Sequence, residues 1–338
     1  MGFNVVVIGG ANIDIVATPD KELRMYDSNI GHAAISFGGV GRNIAENLVR
    51  LGCNVRFVTV FGNDSFSRTL KAAIEDEGID ISLCRTIGGA SCSKYICLNS
   101  HDGEMIAAIN DMSLYDHMGE AITEEVFEAV NNADILVLDA NTSEDLLKKI
   151  VARTTVPIAF DAVSISKVAR CRSILDRLFI FKPNIYEAEE LLRTIRMQDG
   201  AEGTDRECLE KNDENTAGVD GKSSDERADE VNGCVAEKYA RELARLGVKN
   251  VMISMGADGV YYESGSTTGK VPSMVKTIVN TSGCGDAYLA GAVRGYLEGC
   301  DIEGMVRYGS AAAAVCAEYE ETVTPNMGME KVRKYLDS

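Results

Sequence analysis

The chain has 338 residues, of which 45% are hydrophobic and 25% are charged, with only 5 prolines and no tryptophan. This composition excludes intrinsic disorder as the overall state, and the length allows one large α/β domain or two small ones. The formal net charge of −18 argues against nucleic-acid and anionic-membrane partners, because a strongly acidic surface repels their phosphate groups.

Short apolar runs alternate along the chain with segments of helical periodicity. In the first half the predicted elements are a strand at Val5–Ile8, a helix at Ile44–Leu51, a strand at Val55–Val60, a helix at Leu70–Ile74 and a strand at Ile135–Leu138. In the second half they are a helix after Ser143, strands at Pro157–Phe160 and Leu178–Phe181, a helix at Tyr186–Arg193, a strand at Val251–Ser254, and helices at Ala287–Leu297, Ser310–Val315 and Met329–Leu336. Strands that are apolar throughout predict a mostly parallel sheet covered by helices on both faces.

Three stretches interrupt this alternation. Residues from about 14 to 37 and from about 91 to 112 predict β-structure outside the main sheet, and we expect them to form a small lid. Residues from about 198 to 232 contain 12 acidic and 4 basic residues and almost no large apolar side chain. We predict that this insertion is disordered, because it cannot bury a core.

The ten cysteines form no Cys-x-x-Cys pair and the three histidines lie far apart. Neither a disulfide framework nor a transition-metal site is predicted. The opening Asn4–Ile8 is too short for a signal peptide, and no run of 18 apolar residues occurs. We therefore expect a cytoplasmic protein with reduced thiols.

Two glycine-rich segments match known nucleotide-binding motifs poorly. Gly265–Lys270 is one residue shorter than a P-loop, and Val271 replaces its Ser or Thr, which excludes a Walker-type enzyme. Gly283–Tyr288 has only the first two glycines of a dinucleotide-binding fingerprint, so an NAD enzyme is not expected.

The chemistry is predicted at the start of a C-terminal helix. The segment Asn280–Asp286 follows a predicted apolar strand and leads into that helix, so the backbone N–H groups of Gly283, Cys284 and Gly285 can form an anion hole. Asp286 in the first turn can accept a hydroxyl proton. Together these features indicate phosphoryl transfer, and the alternative is an ordinary Gly-rich turn with a helix-start carboxylate.

A second glycine-rich helix entrance lies near the N-terminus. It contains Gly38, Gly39 and Asn43, and Asn12 and Asp14 come just after the first strand. Amides and a carboxylate of this kind suit the hydroxyl groups of a sugar.

The two motifs resemble the paired motifs of the ribokinase-like (PfkB) family of sugar and nucleoside kinases. Lys182–Glu187 is similar to the family's Asn-x-x-Glu element, and Ile253–Val260 is similar to its ATP-phosphate strand and turn. The resemblance runs the whole chain. It implies a single kinase domain over 1–338, with a three-layer αβα ribokinase-like fold, a central mostly parallel sheet and a small β-sheet lid.

The resemblance also assigns roles. It implies that Asp286 is the catalytic base, that Glu187 acts on Mg²⁺ through water, and that the other residues divide between two ligands. The sugar would be held by Asn12, Asp14, Gly38, Gly39, Asn43 and Asn141, and ATP by Asn184, Ser254, Gly256 and Gly259.

Within the family, four segments resemble those of pseudouridine kinases: Asp27–Asn29, Gly38–Asn43, Gly103–Met105 and especially Ala108–Met112. This implies ATP-dependent phosphorylation of the 5′-hydroxyl of pseudouridine. A lid sheet that exposes an apolar face would also favour a homodimer through the lid. The predicted contacts to the uracil base are Ser93, Lys94, Tyr95, Asn110 and Met112. The alternatives are another kinase of the family, acting on ribose, adenosine or a hexose, and a ligand-binding regulator without catalysis.

Two residues depart from the family pattern. Asn280 stands where the family generally has Asp, which leaves a requirement for a monovalent cation open, and Cys284 stands where it usually has Ala. A thiol at a helix N-terminus can have a lowered pKa and be oxidisable, although a small inert side chain serves the same position.

Overall fold

A computed structural model describes residues 2–198 and 224–337, with the backbone alone at Gln198 and at 224–232. Its strands are β1 (Asn4–Ile8), β2 (Asn12–Pro19), β3 (Gly31–Gly38), β4 (Asn54–Val58), β5 (Val60–Phe61), β6 (Arg85–Thr86), β7 (Lys94–Asn99), β8 (Met105–Asp111), β9 (Ile135–Asp139), β10 (Ile158–Asp161), β11 (Ile180–Phe181), β12 (Asn250–Ser254), β13 (Val260–Ser264) and β14 (Thr267–Val271). Its α-helices are α1 (Val40–Arg50), α2 (Ser65–Asp76), α3 (Met118–Ala121), α4 (Glu124–Asn131), α5 (Glu144–Arg153), α6 (Ile185–Gln198), α7 (Ser224–Arg245), α8 (Cys284–Leu297), α9 (Ile302–Ala317) and α10 (Met329–Leu336).

Eight strands form the central sheet in the order β14-β13-β12-β11-β10-β9-β1-β4. All neighbours are parallel except β12–β13 and β13–β14, which are antiparallel. The P-loop-like segment Gly265–Lys270 belongs to the β13–β14 hairpin and opens no helix. This antiparallel edge was not predicted from the sequence.

Successive residues of the central strands point to opposite faces, and both faces are covered. Val5 and Val7 of β1 pack among the residues of α1, α8, α9 and α10, whereas Val6 and Ile8 pack among those of α4, α5, α6 and α7. This burial on both faces explains why the apolar runs in the sequence are continuous. The three-layer αβα arrangement and the separate small sheet confirm the predicted fold class.

The smaller sheet has four strands in the order β3-β2-β7-β8, and we refer to it as the lid sheet. Strands β2 and β7 are parallel, and the outer pairs are antiparallel. The strand β2 begins four residues after β1 ends. The lid sheet is therefore anchored directly above the carboxyl end of the central strand β1.

Helices α8 and α9 pack closely because glycines lie at their crossing. A Cβ atom on Gly291 would lie 2.5 Å from the carbonyl oxygen of Tyr308, and one on Gly309 would lie 2.8 Å from the ring of Tyr288. The small-residue composition of these helices therefore permits the approach of a backbone on one side and of a flat ring on the other.

The predicted acidic insertion lies largely outside the described residues. For its last residues, 224–232, the prediction of a disordered loop is wrong, because they form the first turns of α7. Residues 224–232 include two Glu and two Asp and contain no Gly or Pro. They extend a helix whose later turns are buried through Val235, Ala236 and Tyr239.

Candidate functional site

The candidate site lies along the carboxyl edge of the central sheet. Asp139 ends β9, Asp161 ends β10, and Lys182 follows β11. Helices α1 and α8 begin at the same edge, since Asn43 in the first turn of α1 contacts Asp286 in the first turn of α8. In open parallel sheets ligands bind outside this edge.

The start of α8 has the geometry of an anion-binding helix N-terminus. Gly283 adopts a left-handed backbone with φ of 78°, and a Cβ there would lie 2.0 Å from the carbonyl oxygen of Thr322. The N–H of Gly285 has no partner within the helix because of its place in the first turn. The N–H of Cys284 already donates to the carbonyl oxygen of Thr281 at 3.3 Å. Of the predicted anion hole, Gly283 and Gly285 therefore fit better than Cys284.

Asp286 is buried and meets the N-terminal motif. Its Oδ2 accepts a hydrogen bond from Nδ2 of Asn43 at 2.7 Å, a contact between residues 243 positions apart. Burial and, to a lesser extent, the charge of Asp161 raise the pKa of Asp286 to about 7. The hydrogen bond from Asn43 and the charges of Lys182 and Arg42 lower this pKa and offset part of the rise. A carboxylate with this pKa can take a proton from a hydroxyl group at neutral pH.

Four buried charged residues of the site had no role predicted from the sequence, namely Lys182, Asp161, Arg42 and, described further below, Asp139. Lys182 is buried, with its Nζ 3.3 Å from Oδ2 of Asp161 and 3.0 Å from the position of a Cβ on Gly285. Arg42 is also buried and donates to the carbonyl oxygens of Gly38 and Phe37 at 3.2 and 2.8 Å. In the sequence, Lys182 and Arg42 are charges inside two of the motif segments, and Asp161 is a carboxylate at the end of a predicted strand.

The predicted sugar-binding residues of the N-terminal motif come together. Nδ2 of Asn12 donates to Oδ1 of Asp14 at 2.6 Å, and a Cβ on Gly38 would lie 2.3 Å from Oδ2 of Asp14. Gly39 has φ of 97°, and a Cβ there would lie 2.4 Å from the carbonyl oxygen of Gly10. Glycine is thus required at both positions to bring the two strands and α1 together.

Asn141 lies beside this motif and is held by Asp139. Oδ2 of Asp139 accepts from the backbone N–H groups of Gly10 and Gly41 at 2.8 and 2.9 Å and from Nδ2 of Asn141 at 3.1 Å. Oδ1 of Asn141 accepts from Nζ of Lys167 at 2.8 Å. Asp139, which the sequence analysis missed, fixes the loop after β1 against α1.

Tyr95 and Asn110 share one face of the lid sheet with Asp14. In the register of the sheet Tyr95 pairs with Asp14 on one side and with Asn110 on the other. Because side chains alternate along a strand, these three lie on the same face. That face therefore carries the carboxylate predicted to bind the sugar and two of the residues predicted to contact the base.

Lys94 lies on the opposite face of the lid sheet. It pairs with buried Ile13, and its Nζ donates to the carbonyl oxygen of Cys92 at 2.8 Å. Ser93 is buried just before β7, and Met112 is half-buried just after β8. The structure thus separates Lys94 from the Tyr95 face, and Ser93 and Met112 flank the lid strands.

The predicted ATP-binding residues lie at the ends of neighbouring strands. The backbone N–H of Asn184 donates to Oε2 of Glu187 at 2.9 Å, and the N–H of Glu187 donates to Oδ1 of Asn184 at 2.9 Å. This reciprocal pair starts α6 as a capping box does. Ser254 forms a bridge with Asn184, and Gly256 and Gly259 follow with φ of 63° and 86°.

The residues present fit a magnesium ion that is bound mainly through water and phosphate. Among residues 2–198 and 224–337 no cluster of three or more His, Cys, Asp or Glu could hold a metal. Glu187 supplies one buried carboxylate beside the bridge of Asn184 and Ser254. Mg²⁺ commonly binds through one or two carboxylates, substrate phosphates and several waters.

The two departures from the family pattern lie in one turn. Nδ2 of Asn280 donates to the carbonyl oxygen of Glu320 at 2.7 Å, and its Oδ1 accepts from the N–H of Ser282 at 2.9 Å. A contact with Cys316 on α9 lowers the pKa of Cys284. Asn280 thus closes the turn before α8 with neutral hydrogen bonds.

N–H groups able to bind a phosphate and a carboxylate able to accept a proton therefore lie beside side chains suited to sugar hydroxyls. This arrangement is typical of kinases that phosphorylate small hydroxyl compounds. A model described as the pfkB family of carbohydrate kinases matches residues 3–216 and 226–327, and the chain belongs to that family. As a member it is a sugar or nucleoside kinase.

Relatives span nearly the whole chain. It is 29% identical over 336 residues to the pseudouridine kinase of Escherichia coli strain K12, with 99% of this chain and 96% of the relative covered. The guanosine-inosine kinase of Exiguobacterium acetylicum is 22% identical over 96% of this chain and 97% of its own. A ribokinase of Arabidopsis thaliana, solved with ribose and ATP, has the same fold with a TM-score of 0.80, 19% identity and full coverage of both chains.

No helix in the two described stretches is long and apolar enough to cross a membrane.

Proposed function

We propose that the protein transfers the γ-phosphoryl group of ATP to the 5′-hydroxyl of pseudouridine, giving pseudouridine 5′-phosphate and ADP. The observation that carries this proposal is the lid face on which Asp14, Tyr95 and Asn110 stand side by side. A carboxylate suits ribose hydroxyls, and an aromatic ring next to an amide suits a flat base with carbonyl and N–H groups. The whole-length similarity to a pseudouridine kinase supports the same substrate.

The transfer itself uses the start of α8. Asp286 accepts the proton of the 5′-hydroxyl as the hydroxyl oxygen attacks the γ-phosphorus, and ADP leaves on the opposite side. Asn43 orients Asp286 through the 2.7 Å hydrogen bond. The N–H groups of Gly283 and Gly285, together with the Lys182 ammonium, stabilise the negative charge on the transferring group.

ATP would lie beside this helix, with its phosphates near Asn184, Ser254 and the turn from Gly256 to Gly259. Glu187 would hold Mg²⁺ through water. A bound Mg²⁺ supplies positive charge that neutralises the phosphate oxygens. Because Asn280 is neutral and already hydrogen-bonded on both sides, we expect the enzyme to be active without added K⁺.

The test is a kinase assay on the full chain with ATP and a panel of pseudouridine, uridine, adenosine, guanosine, inosine, ribose and fructose. ADP release gives kcat/KM for each compound. We expect a clear preference for pseudouridine over uridine, which differs only in the bond between ribose and base. A preference for another compound would refute pseudouridine as the substrate but would leave the assignment as a kinase intact.

Specificity is tested in the lid by Tyr95→Ala and Asn110→Ala, with Lys94→Ala as the matched control from the opposite face. The first two variants should raise KM for pseudouridine more than for ribose, because ribose has no base to contact. Lys94→Ala should leave the ratio unchanged. Ligand binding without ADP formation by the wild type would instead establish a non-catalytic regulator.

We also propose a homodimer through the face of the lid sheet that carries Lys94, opposite the Tyr95 face. Ile15, Ile35, Ile96 and Ile109 form one cross-strand row on that face. The side chains of Ile35, Ile96 and Ile109 are 58%, 38% and 66% exposed, and a second copy of the same row would cover them. Ile35→Glu should convert a dimer into a monomer in analytical ultracentrifugation, and a wild-type monomer would refute the proposal.

A further inference from the structure

Asp161 is a buried carboxylate beside the proposed site to which the mechanism gives no role. Its Oδ1 accepts a hydrogen bond from the N–H of Val163 at 2.8 Å, and its Oδ2 lies 3.3 Å from Nζ of Lys182. Oδ2 is fully buried and makes no hydrogen bond of good geometry in the described part of the chain. A buried carboxylate oxygen in this state requires an explanation in terms of a neighbouring charge.

The loop after β10 holds Asp161 rigidly. Val163 has φ of 64°, a left-handed backbone that a β-branched residue rarely adopts. Such strained positions persist where the surrounding structure fixes them, and they cluster at functional sites. The hydrogen bond from Val163 orients the carboxyl group so that Oδ2 points towards Lys182.

Lys182 connects Asp161 to the anion hole. A Cβ on Gly285 would lie 3.0 Å from Nζ of Lys182, so the ammonium lies directly beneath the backbone that is proposed to bind the phosphoryl group. Asp161 is the carboxylate within ion-pair distance of this ammonium. Asp286 and Glu187 also attract it at longer range.

We propose that Asp161 is a positioning residue, which holds the Lys182 ammonium beneath the anion hole and keeps it from pairing with Asp286. This inference rests on the proposed function of Asp286 as base and of the anion hole as phosphoryl site. In the absence of Asp161, the ammonium turns towards Asp286. The base is then weakened and the γ-phosphate loses a positive charge.

The charges that face Asp286 define the expected direction of the pH effect. Asp161 raises the pKa of Asp286, whereas Lys182 on the β11 side and Arg42 on α1 lower it. The thiols of Cys284 and Cys316 also lie close enough to feel its charge. Asp161→Asn removes the charge that raises the pKa, so the acid limb of kcat/KM should move to lower pH.

The experiment compares wild type, Asp161→Asn and Asp145→Asn in the full chain. Asp145 is the matched control because its side chain is 90% exposed on α5. Two quantities are measured: kcat/KM against pH with the best compound of the panel, and the affinities for ADP and for a non-hydrolysable ATP analogue without any nucleoside.

For Asp161→Asn we expect an acid limb shifted down by about half a pH unit or more. We also expect a loss of kcat on the order of 10-fold to 100-fold, and weaker binding of the ATP analogue with unchanged binding of ADP. Asp145→Asn should match wild type. An unchanged pH profile, or an equal loss for both nucleotides, would assign Asp161 a purely structural role and overturn the proposal.

The nucleotide arm needs no nucleoside, so it separates this inference from the proposed function. If the wild type phosphorylates nothing in the panel but the analogue arm gives the expected result, the function fails and the positioning role stands. If Asp161→Asn does not fold, Lys182→Met is compared with the double variant Asp161→Asn/Lys182→Met, whose buried charges are both removed. Equal analogue affinities support action through Lys182, and a further loss in the double variant contradicts it.

Discussion

Replacing Asp286 by Asn should abolish activity and at the same time stabilise the fold at alkaline pH. The substitution keeps the shape of the side chain and an oxygen that can accept the Asn43 hydrogen bond. It removes the proton acceptor, so kcat should fall by roughly 10²- to 10⁴-fold. It also removes a buried negative charge that the folded state ionises only with difficulty.

The size of the second effect follows from the pKa. Folding raises the pKa of Asp286 from 3.8 to about 7. Since the folded state binds the proton more tightly, the wild type loses stability as the pH rises from the lower to the upper value. At 1.36 kcal/mol per pKa unit the full loss is about 4 kcal/mol, of which about 3 kcal/mol falls between pH 5 and pH 8.

The assay is urea unfolding of wild type and Asp286→Asn at several pH values between 5 and 8. The difference in the free energy of unfolding, variant minus wild type, should rise with pH up to about 7 and then level off. Asp145→Asn, an exposed carboxylate changed in the same way, should show no such rise. A difference for Asp286→Asn that does not depend on pH would refute the reasoning, because it would mean that the carboxyl group titrates normally.

Three further predictions concern the same site. The wild-type kcat/KM should fall tenfold per pH unit below about 7, where Asp286 is protonated, and a pH–rate profile tests this. Gly283→Ala should abolish turnover and lower the melting temperature, because the new Cβ would lie 2.0 Å from the carbonyl oxygen of Thr322. The control is Gly299→Ala, where φ is also positive at 83° but nothing lies within 4 Å of the new Cβ. This control should lower the free energy of unfolding by only about 1 kcal/mol and keep activity. EDTA should stop turnover until Mg²⁺ is added, and Glu187→Gln should raise the Mg²⁺ concentration needed for half-maximal rate; turnover in excess EDTA would contradict the metal assignment.

The alternation of elements could be predicted because burial on both faces makes the central strands apolar throughout. The same property hid the antiparallel edge, since β13 and β14 contain Tyr261, Tyr262 and Lys270 and lack the continuous aliphatic run of the inner strands. Residues 224–232 were assigned to a loop from their composition. Their helical state depends on the buried turns that follow, which a local reading does not include.

In the site, the glycines and Asp286 could be found because their spacing around a helix start is local. Asp139, Asp161 and Lys182 could not, because each acts on a residue far away in the chain. A buried Lys next to Pro183, or an Asp at the end of a strand, has no local pattern that marks it. Lys94 was wrongly grouped with Tyr95 because the two are adjacent in the sequence. Adjacent residues of a strand point to opposite faces, so Lys94 lies on the other face of the lid sheet.

The hydrogen bond between Asn43 and Asp286 joins residues 243 positions apart, which has a consequence for how the protein is made. Helices α8, α9 and α10 supply much of the apolar cover for one face of the sheet, and they leave the ribosome long after β1. Until these helices have been made, Val5 and Val7 on β1 lack that cover, and Asn43 has no Asp286 to contact. We therefore expect a chain truncated before Gly283 to be both inactive and prone to aggregate.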